Sequence, residues 1–241
     1  FPQNEFDVLK QETLTALDAQ KSEPTSHAIN ELAHIFNIYP KGHPLYASSI
    51  AESIADINAV TLDDVKKFYR DFYGASTGQM TVVGDFDPKE ISALTQELFG
   101  TWKSPTPFVR IKNEFRPIAP VNRSIEAPDK ANAFFIARMN IKMRDDNPDY
   151  PAMILGNYIL GGGFLNSRLA TRIRQKDGLS YGVGSNFSAS SLDDFGGFQA
   201  IAIYAPEYAD MLEAAFMVVL AKIIRDGFTA DEVASAKSGW L

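Results

Sequence analysis

The segment Gly161–Tyr181 constrains the fold of this chain more than any other, because it joins a glycine run, a short helix and the start of a strand. Gly161, Gly162 and Gly163 open the segment and permit a tight turn. Apolar residues then recur near helical spacing, which predicts a short amphipathic helix with a stripe of Phe164, Leu165, Leu169 and Ile173. Gly178 stands where a left-handed helix cap is expected, and a strand-like run follows it.

This helix-to-strand corner carries polar side chains at both of its ends. Arg174 falls on the last helical turn and Tyr181 begins the strand, so both side chains could face one cleft. Arg168, Arg172 and Arg174 form a basic cluster, for which two interpretations stay open. The cluster is either a solvated face with acidic partners or a clamp for a carbonyl or carboxylate group. Tyr181 would add a phenolic donor to such a clamp, although an isolated tyrosine is more often a core aromatic.

Composition predicts a packed globular protein and excludes several kinds of site. The 241 residues are 45% apolar and 22% charged, which is typical of a folded core. The formal net charge of −7 argues against nucleic-acid binding, which needs clustered cations. The absence of cysteine excludes disulfides and thiolate metal sites. No apolar run approaches the roughly 20 residues of a membrane-spanning helix.

A complete catalytic centre is not visible in the sequence. The three histidines, His27, His34 and His43, do not form H-x-x-E-H or H-E-x-x-H, which place two ligands one helical turn apart. The glycine run lacks the Lys-Ser/Thr pair of a phosphate loop, and no G-x-S-x-G elbow occurs. Gly182 and Gly184 lie inside a strand-like run, which favours a bulge or a close backbone approach.

Periodicity predicts a helix-rich first half and a mixed second half. Helices are expected at 5–20, 26–37, 48–57, 62–73, 88–99, 150–160, 207–226 and from 229 onward. Strands are expected at 79–84, 121–127, 131–143, 181–190 and 197–205, the last two as an antiparallel pair. Four prolines and no helical period mark 105–120 as a linker between residues 1–104 and 121–241.

The motifs of both halves resemble one family. Arg174-Gln-Lys-Asp-Gly-Leu-Ser-Tyr181, with the preceding glycines and Ser167-Arg168-Leu169, is similar to the non-catalytic half of pitrilysin/insulinase-type zinc peptidases. Mitochondrial processing peptidases and many bacterial zinc proteases share this pattern. In the first half, Val82-Val83-Gly84-Asp85-Phe86-Asp87-Pro88 and Phe99-Gly100-Thr101-Trp102 look like the end of a preceding domain of the same family.

The resemblance implies an α+β fold and a role in peptide cleavage. Family domains are two-layer sandwiches of an antiparallel-rich sheet with helices packed on one face, and they assemble into a clamshell around a peptide. Residues 1–104 would be the back half of one domain, and 121–241 the front half of a second, truncated one. By spacing and context, Arg174 and Tyr181 match the pair that holds the substrate backbone, with Gly161, Gly162, Gly163 and Arg168 in support. Donors aimed at a peptide carbonyl can orient it and stabilise developing negative charge.

The same resemblance implies that zinc belongs to the parent protein and is bound outside this segment. The segment alone should therefore be inactive, and its partners would be a peptide substrate and a catalytic domain in the same chain or in another subunit. Glu5 is a weak candidate ligand: it would bind zinc if an H-x-x-E-H helix precedes Phe1, and would otherwise be a surface residue, which we favour. A fragment of a longer, exported bacterial protein is the corresponding expectation.

Two other functions remain open. A relative without catalytic activity would serve as a structural or chaperone-like partner, and a plain peptide-binding module would add an extended ligand to a strand edge.

Overall fold

The computed structural model describes residues 1–127 and 130–240. Within them lie eight α-helices and one three-stranded sheet. The helices are α1 Gln3–Gln20, α2 Pro24–Phe36, α3 Ile50–Ala59, α4 Leu62–Phe72, α5 Pro88–Phe99, α6 Tyr150–Asn157, α7 Ala209–Asp226 and α8 Ala230–Trp240. The strands are β1 Ala133–Ile141, β2 Ser180–Ala189 and β3 Gly196–Tyr204. The predicted α+β class is confirmed.

Contacts divide the chain into two compact units. Unit 1 comprises Phe1–Asp18 and Ala51–Ile111, and unit 2 comprises Ala19–Ile50 and Lys112–Leu241. Residues 105–120 contain neither helix nor strand, but the family-domain boundaries that we drew around them stay a prediction.

Unit 1 is built from α1, α3, α4 and α5. Helix α4 begins at a capping box, in which the Asp64 amide donates to Thr61 Oγ1 and the Thr61 amide donates to Asp64 Oδ2. Its apolar stripe is nevertheless open to solvent, with Phe68 57% and Phe72 51% exposed. No described residue of unit 1 is buried, so this unit has apolar helix faces without a closed core.

The core of the protein lies in unit 2, on one face of the sheet. The strand order is β1-β3-β2, with both neighbouring pairs antiparallel. Side chains alternate along β1, and Phe135 and Ala137 pack against the core cluster. That cluster joins the sheet to α7 and the corner segment through Leu160, Leu169, Ile173, Leu179, Ala200, Ala202, Leu212, Ala215, Phe216 and Val219.

The opposite face of the sheet is only partly covered. Helix α2 contacts β1, and the guanidinium carbon of Arg138 lies 4.9 Å from the ring centroid of Phe36. Arg138 alternates with Phe135 and Ala137 along the strand, which places it on the side away from the core.

Two of the expected strands are wrong. Residues 79–84 and 121–127 form no strand, and Val83 and Val121 are 92% and 54% exposed. An apolar, β-branched run satisfies its backbone groups in a sheet only where another strand pairs with it. Neither run has a ladder partner among the residues that the structure describes.

Candidate functional site

Helix α6 leads directly into the Gly161–Tyr181 corner. It continues as a π-helical turn, Tyr158–Gly162, which runs close to β2. A Cβ atom on Gly161 would lie 2.6 Å from the backbone nitrogen of Ser185, so glycine is required there by close contact. Asn157 fixes the same approach, because its Oδ1 accepts the Ser185 hydroxyl at 2.8 Å. The glycine run therefore serves the packing of a helix end on a strand.

The next turn directs one aromatic side chain outward. Phe164 has a φ of 51° and is 71% exposed, in a short 3-10 turn, Phe164–Asn166. The expected stripe is therefore wrong at Phe164 and at Leu165, which is 36% exposed, because both residues lie in this turn and not in the helix that follows. Ser167 is fully buried and caps the following helical segment, accepting the Ala170 amide at 3.3 Å.

The segment Ala170–Lys176 is π-helical and anchored in the core. Leu169 and Ile173 are 0% and 1% exposed, as the apolar spacing predicted. Gly178 takes a φ of 66°, and the Leu179 amide donates to the Ile173 carbonyl at 2.9 Å. The predicted left-handed cap is confirmed, and it fixes where β2 starts relative to the helical segment.

Two arginines of the basic cluster are engaged in ion pairs. The Nε and Nη2 atoms of Arg168 donate to the two carboxylate oxygens of Glu232, each at 2.7 Å, and Nη2 also donates to the Gly227 carbonyl at 3.0 Å. Arg172 Nε donates to Asp177 Oδ2 at 2.6 Å. Both therefore act within the fold: Arg168 joins the corner to α8, and Arg172 closes its own turn.

Arg174 differs from both neighbours. Its side chain is exposed and has no hydrogen-bond or ion-pair partner among residues 1–127 and 130–240. Its guanidinium carbon lies 6.0 Å from the ring centroid of Phe164, at the outer limit of a cation–π contact. The corner thus presents a cation and an exposed aromatic ring side by side.

Tyr181 is the extra residue of a β-bulge. Ser180 pairs with Tyr204 and Gly182 with Ile203, so Tyr181 has no partner on β3. The Ser180 hydroxyl holds the bulge, donating to the Ile203 carbonyl at 2.6 Å and accepting the Gly182 amide at 3.1 Å. Bulges commonly redirect a side chain, and Tyr181 is 64% exposed. Its phenol is available as a donor.

The described residues do not form a metal site. They contain no group of three or more His, Asp or Glu side chains that could hold a metal ion. Glu5 lies in the first turn of α1 and is exposed. A zinc ligand set therefore does not fit the part of the chain that the structure describes. Nor is any described helix long and apolar enough to cross a membrane.

Sequence reasoning missed two features of the corner. It placed Phe164 in the core, although the preceding glycines are the signal for a turn there. It located a bulge near Gly182 but did not identify Tyr181 as the bulged residue, because pairing register is a property of two strands together.

Comparison with known proteins gives one consistent family. Residues 59–239 match the model of the peptidase M16 inactive domain. An uncharacterized zinc protease of Mycobacterium bovis is 27% identical over 219 residues, which cover 86% of this chain and 45% of that protein. A probable inactive metalloprotease of Bacillus subtilis is 24% identical, over 71% of this chain and 42% of its own length. The chain spans about half the length of these curated relatives.

Solved structures agree. A peptidase M16 inactive domain from Pseudomonas fluorescens aligns with a TM-score of 0.79 at 28% identity, over 99% of this chain and 56% of that one. A protease from Helicobacter pylori aligns with a TM-score of 0.77 at 20% identity, over 100% and 57%, and supports the fold alone. The chain belongs to the peptidase M16 inactive-domain family of zinc proteases.

Proposed function

We propose that this chain supplies the substrate-binding, non-catalytic part of a zinc-dependent metalloendopeptidase. Arg174 and Tyr181 bind the backbone carbonyls of an extended peptide. The observation that carries the proposal is the difference among the corner arginines. Arg168 and Arg172 are paired, whereas Arg174 has no hydrogen-bond or ion-pair partner in the described chain and shares the corner with the exposed Tyr181.

The chemistry of the two side chains suits a peptide. A guanidinium offers several N–H donors in one plane, and a phenol adds one more. Together they can donate hydrogen bonds to the uncharged carbonyl oxygens of a peptide backbone. The buried Leu169 and Ile173 and the Gly178 cap restrain the backbone of the corner. A rigid backbone lowers the entropic cost of binding an extended chain.

The catalytic part of the peptidase lies outside this segment in our proposal. Zinc binds to a catalytic family domain, in the same protein or in a partner subunit, and the two parts close around the peptide. Residues 1–104 are the back half of one family domain and 121–241 the front half of a second. The open apolar helix faces of unit 1 support this division, because such faces are normally covered by a sheet.

The test is peptide cleavage by the active assembly that contains this chain. Arg174→Ala and Tyr181→Phe should each lower kcat/KM about 10-fold or more, the effect of losing a donor to a developing negative charge. Zinc content and the circular dichroism spectrum should stay unchanged. Arg225→Ala is the matched control, because Arg225 is exposed and its ion pair is with the adjacent Asp226.

Full activity in both variants would show that the pair takes no part in cleavage. Equal losses in the Arg225→Ala control would point to net charge rather than to the corner.

A second candidate is a structural partner without a role in cleavage. The Bacillus subtilis relative is named a probable inactive metalloprotease, which favours this alternative. An assembly that cleaves no peptide even with zinc supplied, but is destabilised when this chain is absent, would support it.

A further inference from the structure

The sheet face opposite the core carries a row of polar side chains that the proposed function does not use. Arg138 of β1 lies directly opposite Gln199 of β3, and Gln199 lies opposite Asn186 of β2. Residues paired in this way point to the same face. With strands about 4.8 Å apart, the row extends about 10 Å across the sheet. The row therefore places one guanidinium and two amide groups side by side on one face of the sheet.

A cleft of about 370 Å³ lies over this row. Its lining includes Arg138, Asn186, Ser188, Phe195 and Gln199. Among the described residues that line it, Arg138 alone is charged. The volume is in the range of small-ligand sites and would hold one or two amino-acid side chains.

The guanidinium of Arg138 is the one charged group of this row. Its guanidinium has no hydrogen-bond or ion-pair partner among residues 1–127 and 130–240, and the ring of Phe36 stacks against it at 4.9 Å. Partial burial lowers its pKa, with no acidic group acting in the other direction. Since arginine stays charged at any physiological pH, a partly desolvated guanidinium favours an anionic ligand.

The rest of the row selects for a single carboxylate. Gln199 on the central strand β3 and Asn186 on β2 offer amide donors, and Ser188 offers a hydroxyl. One guanidinium fork matches the two oxygens of one carboxylate, whereas phosphate groups usually meet several cations.

A neighbouring acceptor points to a peptide as the source of that carboxylate. Arg138 also lines a smaller cavity of about 70 Å³, together with Asn140, Glu114 and Arg116. Asn140 Oδ1 is buried and has no hydrogen-bond partner among the described residues. A buried acceptor of this kind is rarely left without a donor. A rotation of the side chain toward the cavity would let it accept a backbone N–H next to the bound carboxylate.

We propose that Arg138, Gln199 and Asn186 form a binding subsite for an acidic side chain of a peptide. The subsite is separate in sequence and on the sheet from the Arg174–Tyr181 corner. The choice of a peptide over a free carboxylate rests on Asn140 and on the proposed function, whereas recognition of the carboxylate rests on neither, so either proposal can fail without the other.

The test compares by calorimetry the binding of two peptides with blocked termini. The two peptides are identical except at one position, which is Glu in the first and Gln in the second. The Glu peptide should bind the wild-type chain about 10-fold more tightly, the usual worth of a hydrogen bond to a charged group. Arg138→Gln should abolish this preference and Arg138→Lys should retain part of it. Arg70→Gln removes the same charge from an exposed position in unit 1 and should leave the preference intact.

Four results would overturn the proposal. Equal binding of the two peptides, or binding of neither, would show that no carboxylate is recognised here. Acetate that shifts the NMR signal of the Arg138 side chain and binds as tightly as the Glu peptide would show a site for small carboxylates instead. Loss of the preference for Glu in Arg174→Ala would show that the carboxylate binds at the corner and not at Arg138. A preference that survives in this variant would support a separate subsite.

Discussion

At the scale of single residues, Arg168 and Glu232 show how the corner is held. The guanidinium of Arg168 binds both oxygens of Glu232, and the Thr229 amide donates to the same carboxylate at 2.7 Å. These donors, Arg168 first, lower the pKa of Glu232 from 4.5 to about 2. Arg168 thus binds within the protein, whereas Arg174 is the one arginine of the corner whose guanidinium has no hydrogen-bond or ion-pair partner among the described residues.

Glu232→Gln should destabilise the protein in a pH-dependent way. Because the pKa is lowered by folding, the ionised pair stabilises the protein fully above about pH 4.5, and this stabilisation is lost as the pH falls toward 2. The pair is partly solvated, so we expect a loss of about 1–2 kcal/mol in the free energy of unfolding at neutral pH. Urea unfolding between neutral pH and about pH 3 measures it, and the difference from wild type should shrink on acidification.

Asp231→Asn is the control, since Asp231 is the exposed neighbour of Glu232 on the same helical turn. A difference between wild type and Glu232→Gln that stays constant down to about pH 3 would contradict the assignment of the lowered pKa to this pair.

At the scale of elements, the corner depends on the approach of the π-helical turn Tyr158–Gly162 to β2. The turn contacts the strand through Gly161. On the strand side, a Cβ atom added at Gly184 would lie 3.4 Å from the Gly161 carbonyl oxygen. Glycine on both sides allows two backbones to lie together. The same strand carries the bulge that exposes Tyr181, so its position controls where that side chain points.

Gly161→Ala should destabilise the protein by about 1–3 kcal/mol, because the new methyl group would overlap the Ser185 backbone and force the turn away from β2. Thermal unfolding of the purified chain measures the loss. Gly78→Ala is the matched control, since its nearest neighbour would be 3.5 Å away, an ordinary contact. Equal melting temperatures of the two variants would show that the turn adjusts without cost.

At the scale of the whole molecule, the two units differ in how they bury apolar surface. The residues of the core cluster lie in unit 2, whereas no described residue of unit 1 is buried. Burial of apolar side chains is the main favourable term in folding, so local stability should differ between the units.

Hydrogen exchange should therefore be slowest in β3 and α7 and much faster in α4 and α5. The reason is that Ala200, Ala202 and Leu212 are 1% exposed, while Phe68 and Leu98 are 57% and 58% exposed. Exchange followed by mass spectrometry on the intact chain measures the difference peptide by peptide. Comparable protection in α4 and β3 would mean that unit 1 is stabilised by more than its own described packing.

Local signals determined much of this protein from the sequence alone. Spacing of apolar residues located the eight helices and the three strands, and Gly178 acted as a cap at the predicted position. These signals are readable because they act within a few residues. The family resemblance also followed from the sequence, since it rests on the order and spacing of short motifs.

Tertiary structure decided what those signals could not. Whether 79–84 becomes a strand depends on a pairing partner, and whether an arginine is free depends on distant residues such as Glu232. The alignment of Arg138, Gln199 and Asn186 appears only when three strands take their register. The physical reason is common to all three cases: hydrogen bonds and ion pairs between residues far apart in sequence form only once the fold brings them together.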